Sequence, residues 1–327
     1  MNAKKVNKGI LKLFYKHVDE MDLYVTHDFK ECDQSLDDIF KKKYPLIFCG
    51  GGDGTVMRII EQYYLKVKAL KVSGRDHRIP KFGILKLGTG NALAGVLGMP
   101  KKAEPINAVN SAMEGDIVLK KFNIIESGGR MFYFGGIGLD ALVLNDYLEI
   151  KNRFSKGILK KFSNTLSGYF TAIFIKSIPK ILFRGFKLKV RIINESNYPV
   201  FKVSFSKGIE QTEIKKGDII YQGNADAVIF GTTTDFGYKL RVMPFAFEKP
   251  GYFNLKIANT GIFKMLANLK HLWTGKWEDP ELYDFLAREI KIEIDGDAPL
   301  ELGGDPEGYT KELKLKISDF TQEFLSF

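Results

Sequence analysis

The chain has 327 residues, which is enough for about two domains. Hydrophobic residues make up 45% and charged residues 27%, ordinary values that exclude a collagen-like, coiled-coil or largely disordered chain. The 49 Lys and Arg outnumber the 39 Asp and Glu, and the net charge of +10 indicates an anionic partner: nucleic acid, a nucleotide or an acidic membrane surface. Only Cys32 and Cys49 are present, which excludes a disulfide framework and fits a reducing compartment.

Short apolar strands, glycine-rich turns and amphipathic helices alternate along the first third of the chain. Apolar residues at helical spacing predict helices, and short apolar or alternating runs predict strands. The helices are predicted over 8–21, 35–43, 56–65 and 92–97, and the strands over 22–28, 45–49 and 81–87. The repeated order of strand, glycine turn and helix favours a parallel α/β sheet.

From about residue 120 the pattern changes to short β-like runs separated by turn residues, as in an antiparallel sandwich. The predicted runs are 122–126, 131–134, 186–193, 201–204, 227–230, 240–242, 252–257, 289–294 and 312–317. We therefore predict an α/β nucleotide-binding domain at 1–119 and a β-rich antiparallel sandwich domain at 120–317. The C-terminal segment, about 318–327, is a candidate to return to the first domain.

A glycine cluster at 50–55, with the sequence GGGDGT, directly follows an apolar strand and precedes a helix. Glycines in such a turn allow backbone N–H groups to approach a phosphate closely, and the following helix N-terminus favours an anion. Thr55 could donate its hydroxyl to a phosphate, and Asp53 could hold Mg²⁺ or accept a proton. The alternative is a turn that merely needs glycine.

A second glycine loop at 87–91, with the sequence LGTGN, has the same strand–turn–helix context. Two such loops at the carboxyl ends of neighbouring parallel strands would face one crevice, where open α/β sheets bind their ligands. Neither loop ends in the Gly-Lys-Ser/Thr of a Walker P-loop, and neither is a GxGxxG dinucleotide fingerprint.

GGDGT and GTGN together resemble the diacylglycerol kinase catalytic-domain family, which includes bacterial lipid kinases, sphingosine kinases and ceramide kinases. NAD kinases share the GGDG loop, but GTGN is typical of the lipid branch. The resemblance runs from about residue 20 to the C-terminus. It implies a NAD kinase/diacylglycerol kinase-like α/β domain, a β-rich lipid domain, ATP with Mg²⁺ as cofactors, and transfer of the γ-phosphoryl group to a lipid hydroxyl.

The resemblance also implies site residues, position by position. The expected nucleotide contacts lie at the end of the predicted second strand and in the two glycine loops: Thr26, Gly51, Gly52, Asp53, Gly54, Thr55, Gly88, Thr89 and Asn91. The element at 136–140, GIGLD, resembles the family's lipid-pocket motif, so Asp140 is expected to hydrogen-bond the lipid head. Each residue alone also has a purely structural interpretation, such as a strand-end cap for Asp140.

The family's Asp-Gly-Glu element near the C-terminus has two competing matches in this chain. Asp295 and Asp297 keep the residue types of the element but lie too far from the C-terminus. Asp295-Gly296 could also be a hairpin turn, which is a common use of Asp-Gly. Asp305, after Gly303 and Gly304, has the expected spacing to the last strand although the first aspartate is missing. Asp53 and Asp305 are the two candidate catalytic carboxylates, and the metal ligands stay unassigned.

A basic, aromatic-rich segment at 151–191 contains eleven Lys or Arg and no Asp or Glu. Such a composition is typical of a segment that contacts an anionic lipid surface. The segment 262–277 has similar character, with Trp273 and Trp277 as candidate interfacial anchors. We expect a cytoplasmic protein that attaches peripherally to a membrane. No zinc spacing or RNP-like pattern favours nucleic acid.

Two alternatives to a lipid kinase remain open at this point. The first is a soluble kinase of the NAD kinase type, which would share GGDGT but phosphorylate a dissolved nucleotide. The second is a non-catalytic relative that binds nucleotide or lipid.

Overall fold

The computed structural model describes residues 8–75, 77–87, 92–98, 105–115, 118–153, 186–236 and 240–326. It divides into two compact units, unit 1 (residues 1–122 and 320–327) and unit 2 (residues 123–319). The first boundary between the units falls between residues 122 and 123. The two segments that pass from one unit into the other are long strands, β3 (Val118–Ser127) and β14 (Asp305–Ser326).

Unit 1 is an α/β unit built around a parallel strand pair. Its helices and remaining strands, in chain order, are α1 (Lys8–His17), α2 (Phe29–Lys42), β1 (Leu46–Gly51), α3 (Asp53–Val72), β2 (Lys81–Lys86), α4 (Ala92–Val96) and α5 (Pro105–Met113). The strand β1 pairs with β2 in parallel from Leu46↔Lys81 to Gly51↔Lys86, and Phe324 of β14 pairs in parallel with Phe82 on the other side of β2. Both predicted glycine loops therefore follow neighbouring parallel strands.

One predicted strand of unit 1 does not form. The prediction over 22–28 was wrong, because the chain there runs from a 3₁₀ turn (Glu20–Asp22) through irregular backbone to Asp28, which caps α2. Among the described residues, β1 is the last strand of the sheet on that side. A strand needs a partner to satisfy its backbone groups, and the alternating pattern alone does not provide one.

Unit 2 is a β-rich unit in which every described strand pair is antiparallel. The predicted fold class, α/β followed by a β-rich domain, is confirmed. The additional strands are β4 (Arg130–Phe132), β5 (Phe134–Gly138), β6 (Leu188–Asn194), β7 (Phe201–Ser204), β8 (Gly208–Gln211), β9 (Ile219–Ala225), β10 (Ala227–Gly231), β11 (Phe253–Ala258), β12 (Leu282–Ala287) and β13 (Glu289–Leu302). The central order is β13-β5-β10-β11-β12-β7-β8, and β6 lies between β13 and β9.

Three helices of unit 2 were not predicted as separate elements. They are α6 (Leu139–Arg153), α7 (Ile262–Ala267) and α8 (Leu269–Thr274). The run 240–242, predicted as a strand, is irregular. Phe245, just beyond that run, packs in a buried cluster, whose other members are Phe201, Val203, Tyr252 and Leu286. Val242 of the run is itself buried, so its apolar character did not require a strand.

The C-terminal segment, residues 320–327, belongs to unit 1 and is held there by hydrogen bonds of the buried Gln322 side-chain amide. Gln322 is fully buried, and its Oε1 accepts a hydrogen bond of 2.8 Å from Tyr64 Oη. Its Nε2 donates to the Pro80 carbonyl at 3.1 Å and to the Glu323 carbonyl at 2.8 Å.

We expect Gln322→Ala to destabilise unit 1 by about 1–3 kcal/mol, because it leaves the buried Tyr64 hydroxyl and the Pro80 carbonyl without partners. Hydrogen exchange of the β2 amides in increasing denaturant measures the loss. The neighbouring exposed Thr321→Ala is the control and should change stability by less than about 0.5 kcal/mol. Equal exchange in the two variants would contradict the assignment.

Candidate functional site

The first glycine loop joins β1 to α3 within unit 1. Gly52 is the N-cap of α3, with a φ of −85°, and α3 begins at Asp53. A Cβ on Gly51 would lie 2.8 Å from Thr55 Cβ, so the turn tolerates only glycine at that position without a shift. A Cβ on Gly52 would meet no atom of the described residues within 4 Å, so among them the space beside its backbone is open.

The amino end of α3 has the features of a phosphate site. The helix has 20 residues, and the described part of the chain provides no side-chain cap for its first turn. The first N–H groups of a helix lack partners inside the helix, and the dipole adds positive potential at that end. An open glycine backbone before such a turn fits the phosphates of a nucleotide.

Asp53 connects the first glycine loop to the second. Its Oδ1 accepts a hydrogen bond of 3.2 Å from the backbone N–H of Leu93, in the first turn of α4. The predicted contacts Gly88, Thr89 and Asn91 lie outside the described residues, just before this helix. Asp53 therefore has a structural contact to the segment that follows the second loop, in addition to its predicted catalytic role.

Thr26 lines a cavity of about 430 Å³ in unit 1. The same cavity is lined by Cys49 and Gly50 at the carboxyl end of β1 and by Leu36 of α2. Thr26 thus lies in the irregular segment before α2 rather than at the end of a strand. Burial raises the pKa of the Cys49 thiol, as expected for an inert buried cysteine.

Asp140, the residue predicted to contact the lipid head, lies in unit 2, where α6 directly follows β5. Gly138 has a φ of +108°, a conformation that favours glycine, and the backbone N–H of Leu139 donates to the Asp226 carbonyl at 2.9 Å. Asp140 lies in the first turn of α6. Its Oδ2 lies where a side chain on Gly136 would be, so any residue other than glycine at 136 would displace Asp140.

Glu301 lies beside Asp140 and was not predicted from the sequence. It is directly opposite Gly136 in the antiparallel pair of β13 with β5, and it is 3% exposed. Opposed residues of an antiparallel pair project to the same face with Cβ atoms about 5 Å apart. Because the Asp140 carboxylate occupies the side-chain position of Gly136, the two carboxyl groups are neighbours. A lone glutamate in the apolar run APLEL (298–302) was the available signal.

The two carboxyls differ in their hydrogen bonds. Glu301 Oε2 accepts a bond of 2.8 Å from the Gly304 backbone N–H. Both oxygens of Asp140 are buried, and neither has a hydrogen-bond partner among the described residues. This arrangement is an unpartnered buried acid beside a partly satisfied one.

Burial raises the pKa of Asp140 to about 7. The backbone amides of Asp140 and Ala141 lie near its carboxyl and partly oppose this rise, but neither forms a well-aligned hydrogen bond to the carboxyl. Burial, the Asp140 carboxyl and Asp305 raise the pKa of Glu301 well above its usual value, while the Gly304 amide opposes this. Because an ionised Asp140 disfavours the ionised form of Glu301, the titrations of the two carboxyls are coupled.

Asp305 is at the two-residue turn between β13 and β14. It pairs with Leu302, and Gly303 and Gly304 between them have φ values of 64° and 85°, as in a type I′ hairpin. Its side chain is exposed, although desolvation still raises its pKa and the nearby Arg130 opposes the rise. Leu302 and Glu301 project to opposite faces, so Asp305 does not share the face of Glu301.

The competing element at 295–297 has a different structure from the predicted hairpin turn. Asp295, Gly296 and Asp297 lie inside β13, all exposed, where the register with β14 shifts between Glu293 and Ala298. The segment is therefore a bulge, and the hairpin interpretation was wrong.

We expect wild-type unit 2 to lose stability relative to Asp140→Asn as the pH rises from about 4 to 7. The unfolded chain releases the Asp140 proton near its usual pKa of 3.8 while the folded chain keeps it to about 7, so the unfolded state binds fewer protons across this interval. The difference grows by at most about 1.4 kcal/mol per pH unit.

Urea unfolding at several pH values measures this difference, and tryptophan fluorescence reports unit 2 because both tryptophans lie in it. The exposed Asp295→Asn serves as the control for removing one carboxylate. Parallel pH curves for the wild type and Asp140→Asn would show that Asp140 ionises normally.

Comparisons with known proteins agree with the fold and with the glycine loops. The family model described as the diacylglycerol kinase catalytic domain matches residues 1–122. No protein with a curated function matches the sequence significantly.

Three solved structures from Bacillus anthracis str. Sterne are similar to the chain. A candidate diacylglycerol kinase has 18% identity and a TM-score of 0.60, covering 92% of this chain and 85% of its own. A diacylglycerol kinase has 15% identity and a TM-score of 0.54, with 92% and 83% covered. A second candidate diacylglycerol kinase has 16% identity and a TM-score of 0.54, with 92% and 84% covered. At these identities the likeness shows the fold.

The resemblance that the two glycine loops predict is therefore confirmed: residues 1–122 match the diacylglycerol kinase catalytic domain, and the fold of the known structures extends over most of the chain.

Proposed function

We propose that this protein is an ATP-dependent lipid kinase that transfers the γ-phosphoryl group to a hydroxyl of a membrane lipid. Diacylglycerol, ceramide and sphingoid bases are the candidate acceptors. The proposal depends chiefly on the open, glycine-led amino end of α3, which lies in the part of the chain that matches a lipid kinase domain.

The nucleotide side of the reaction belongs to unit 1. Amides at the start of α3 would bind the phosphates, and Thr55 could add its hydroxyl. The side chain of Asp53 is partly exposed at the same turn, where it could hold a cation or accept the hydroxyl proton. Phosphoryl transfer needs mainly positioning and charge neutralisation, which these groups are suited to provide.

A magnesium ion could take part in phosphoryl transfer here without a site formed by several protein ligands. Among the described residues, no cluster of three or more His, Cys, Asp or Glu could hold a metal ion. Magnesium commonly uses one or two carboxylates together with substrate phosphates and waters, so Asp53 alone could supply the protein ligand. When bound, Mg²⁺ neutralises the charge that develops on the transferring phosphoryl group.

The acceptor side belongs to unit 2. We assign Asp140 to the polar head of the lipid, since its two buried oxygens have no hydrogen-bond partner among the described residues. Asp305 stays the second candidate for the proton acceptor because it is exposed while desolvation still raises its pKa.

We expect Asp53→Asn to lower the rate of ATP-dependent phosphorylation at least about 100-fold, since the amide neither binds Mg²⁺ well nor accepts a proton. The amide oxygen can still accept the Leu93 hydrogen bond, so the fold should persist. ADP release is measured against diacylglycerol, ceramide, a sphingoid base and NAD, and α4 protection by hydrogen exchange serves as the fold control.

Turnover measured with each acceptor distinguishes a lipid kinase, a soluble NAD kinase-like enzyme and a non-catalytic relative. Turnover with a lipid supports the proposal, and turnover with NAD alone supports the soluble alternative. Nucleotide binding without turnover on any acceptor would indicate a non-catalytic relative. Wild-type turnover by Asp53→Asn would contradict the role of this carboxylate.

We also propose that α7 and α8 contact the lipid surface. No helix in the described ranges is long and apolar enough to cross a membrane. Phe263 is 65% exposed on α7, and Lys270 and His271 are exposed on α8. Trp273 is partly exposed, but Trp277 is buried, so its prediction as an interfacial anchor was wrong. The basic segment 151–191 lies largely outside the described residues.

We expect Phe263→Ser to weaken binding to anionic vesicles about 10-fold, because inserting a phenylalanine side chain contributes about 1.5–3 kcal/mol. Co-sedimentation with phosphatidylglycerol vesicles measures the effect. Tyr309→Ser, at a similarly exposed aromatic in another part of unit 2, is the matched control. Equal loss in both variants, or none in either, would contradict contact through α7.

A further inference from the structure

Residues from five strands of unit 2 form one row across a single face of the sheet. The row runs through consecutive strand pairs and consists of Glu301, Gly136, Ile229, Lys256 and Asp284. Directly paired residues share a face, so the carboxyl groups at the two ends of this row lie on the same side of the sheet. Their surroundings differ sharply.

At one end, the buried acid Asp284 is fully compensated. Lys256 donates to its Oδ2 at 2.5 Å, and Asn254 Nδ2 donates to its Oδ1 at 2.9 Å. Lys256 and Asp284 are both less than 10% exposed. Burying a charge requires a counter-charge and hydrogen bonds, and this end of the row supplies both.

At the other end, among the described residues, Asp140 has no hydrogen-bond partner and Glu301 has the Gly304 amide but no counter-charge. The charged groups that act on Glu301 are the carboxyls of Asp140 and Asp305, and all of them disfavour its ionised form. Arg130 acts on Asp305 and forms an ion pair with Glu307. If the two acids had only a structural role, no counter-charge would offset the free-energy cost of burying them.

A metal ion is a poor explanation for these two acids. Among the described residues, no group of three or more His, Cys, Asp or Glu could hold a metal ion, so a metal here would have these two acids and waters as ligands. Unlike the partly exposed Asp53, both carboxyl groups are buried, and waters could not complete the coordination of a metal ion there. Glu301 also uses one oxygen for the Gly304 amide. The missing partner is therefore better matched by a cation that brings several N–H donors, which is the chemistry of a primary ammonium group.

We propose that Glu301 and Asp140 together bind a protonated amine on the acceptor, so that the chain selects a lipid with an amino-alcohol head. This inference rests on the proposed function and narrows its substrate class. Glu301 is a specificity-determining residue in this account, because a second carboxyl favours an ammonium over a neutral glycerol or N-acyl head.

The binding step is balanced by the release of protons. At pH 6.5, below the pKa of about 7 for Asp140, the free pair holds more than one proton because the pKa of Glu301 is also raised. The ammonium donates its N–H groups to Asp140 Oδ1 and Oδ2 and to the second oxygen of Glu301, both acids ionise, and the protons that they held leave to solvent. A neutral head has no such charge, so its binding leaves the pair protonated.

Isothermal titration calorimetry of the full chain, without ATP, tests the inference at pH 6.5 in two buffers of different ionisation enthalpy. The probes are an eight-carbon 2-amino-1,3-diol and its N-acetyl derivative. We expect the amine to bind at least about 10-fold more tightly and to release at least about one proton, and the N-acetyl compound to release none.

Glu301→Gln should remove most of the 10-fold preference and reduce the proton release, because Asp140 is then the only acid of the pair left to ionise. The matched control is Glu289→Gln, the same substitution at an exposed position of the same strand. Asp140→Asn provides a second variant if Glu301→Gln does not fold, and the comparison of the two probes on the wild type needs no variant.

Equal affinity of the wild type for the two probes, or amine binding without proton release, would overturn the inference. Because no ATP is present, the result is separate from that of the kinase assay. Proton-linked amine binding without phosphorylation would contradict the kinase and retain the amine site. Phosphorylation of diacylglycerol without preference for the amine would contradict only the amine site.

Discussion

The proposed acceptor site depends on the absence of a side chain at Gly136. The carboxylate of Asp140 occupies that position, at the start of α6, and the antiparallel register puts Glu301 next to it. A single Cβ at 136 would separate the two groups. The fold thus brings one acid from a helix and one from a strand into a buried place that the local sequence of neither segment reveals.

Unit 1 relies on a different constraint, the parallel pairing of β1 with β2. This pairing places the two glycine loops after neighbouring strands, and Asp53 then bonds to the first turn of α4. The Asp53 carboxylate therefore both hydrogen-bonds to α4 and lies at the amino end of α3. A loss of activity on removing it has two explanations, and the isosteric amide separates them.

Sequence patterns succeeded where the determinants are local. The glycine loop at 50–55 could be recognised because its turn needs small residues between a strand and a helix. The strand at 22–28 could not be judged from alternation, because its formation depends on a neighbouring strand. Trp277 looked like an interfacial anchor by composition, yet tertiary packing buries it. Glu301 required the register of β13 with β5, which no single segment encodes.

The central claim is that a buried carboxyl pair keeps at least one proton near neutral pH and forms the acceptor site. Carboxyl-carbon NMR of protein labelled with ¹³C at the side-chain carboxyls of Asp and Glu measures it directly. The account predicts a resonance that titrates near pH 7 in the wild type and disappears in Asp140→Asn, and a Glu301 resonance that then titrates at lower pH. Titration of every Asp and Glu carboxyl below about pH 5 would contradict it.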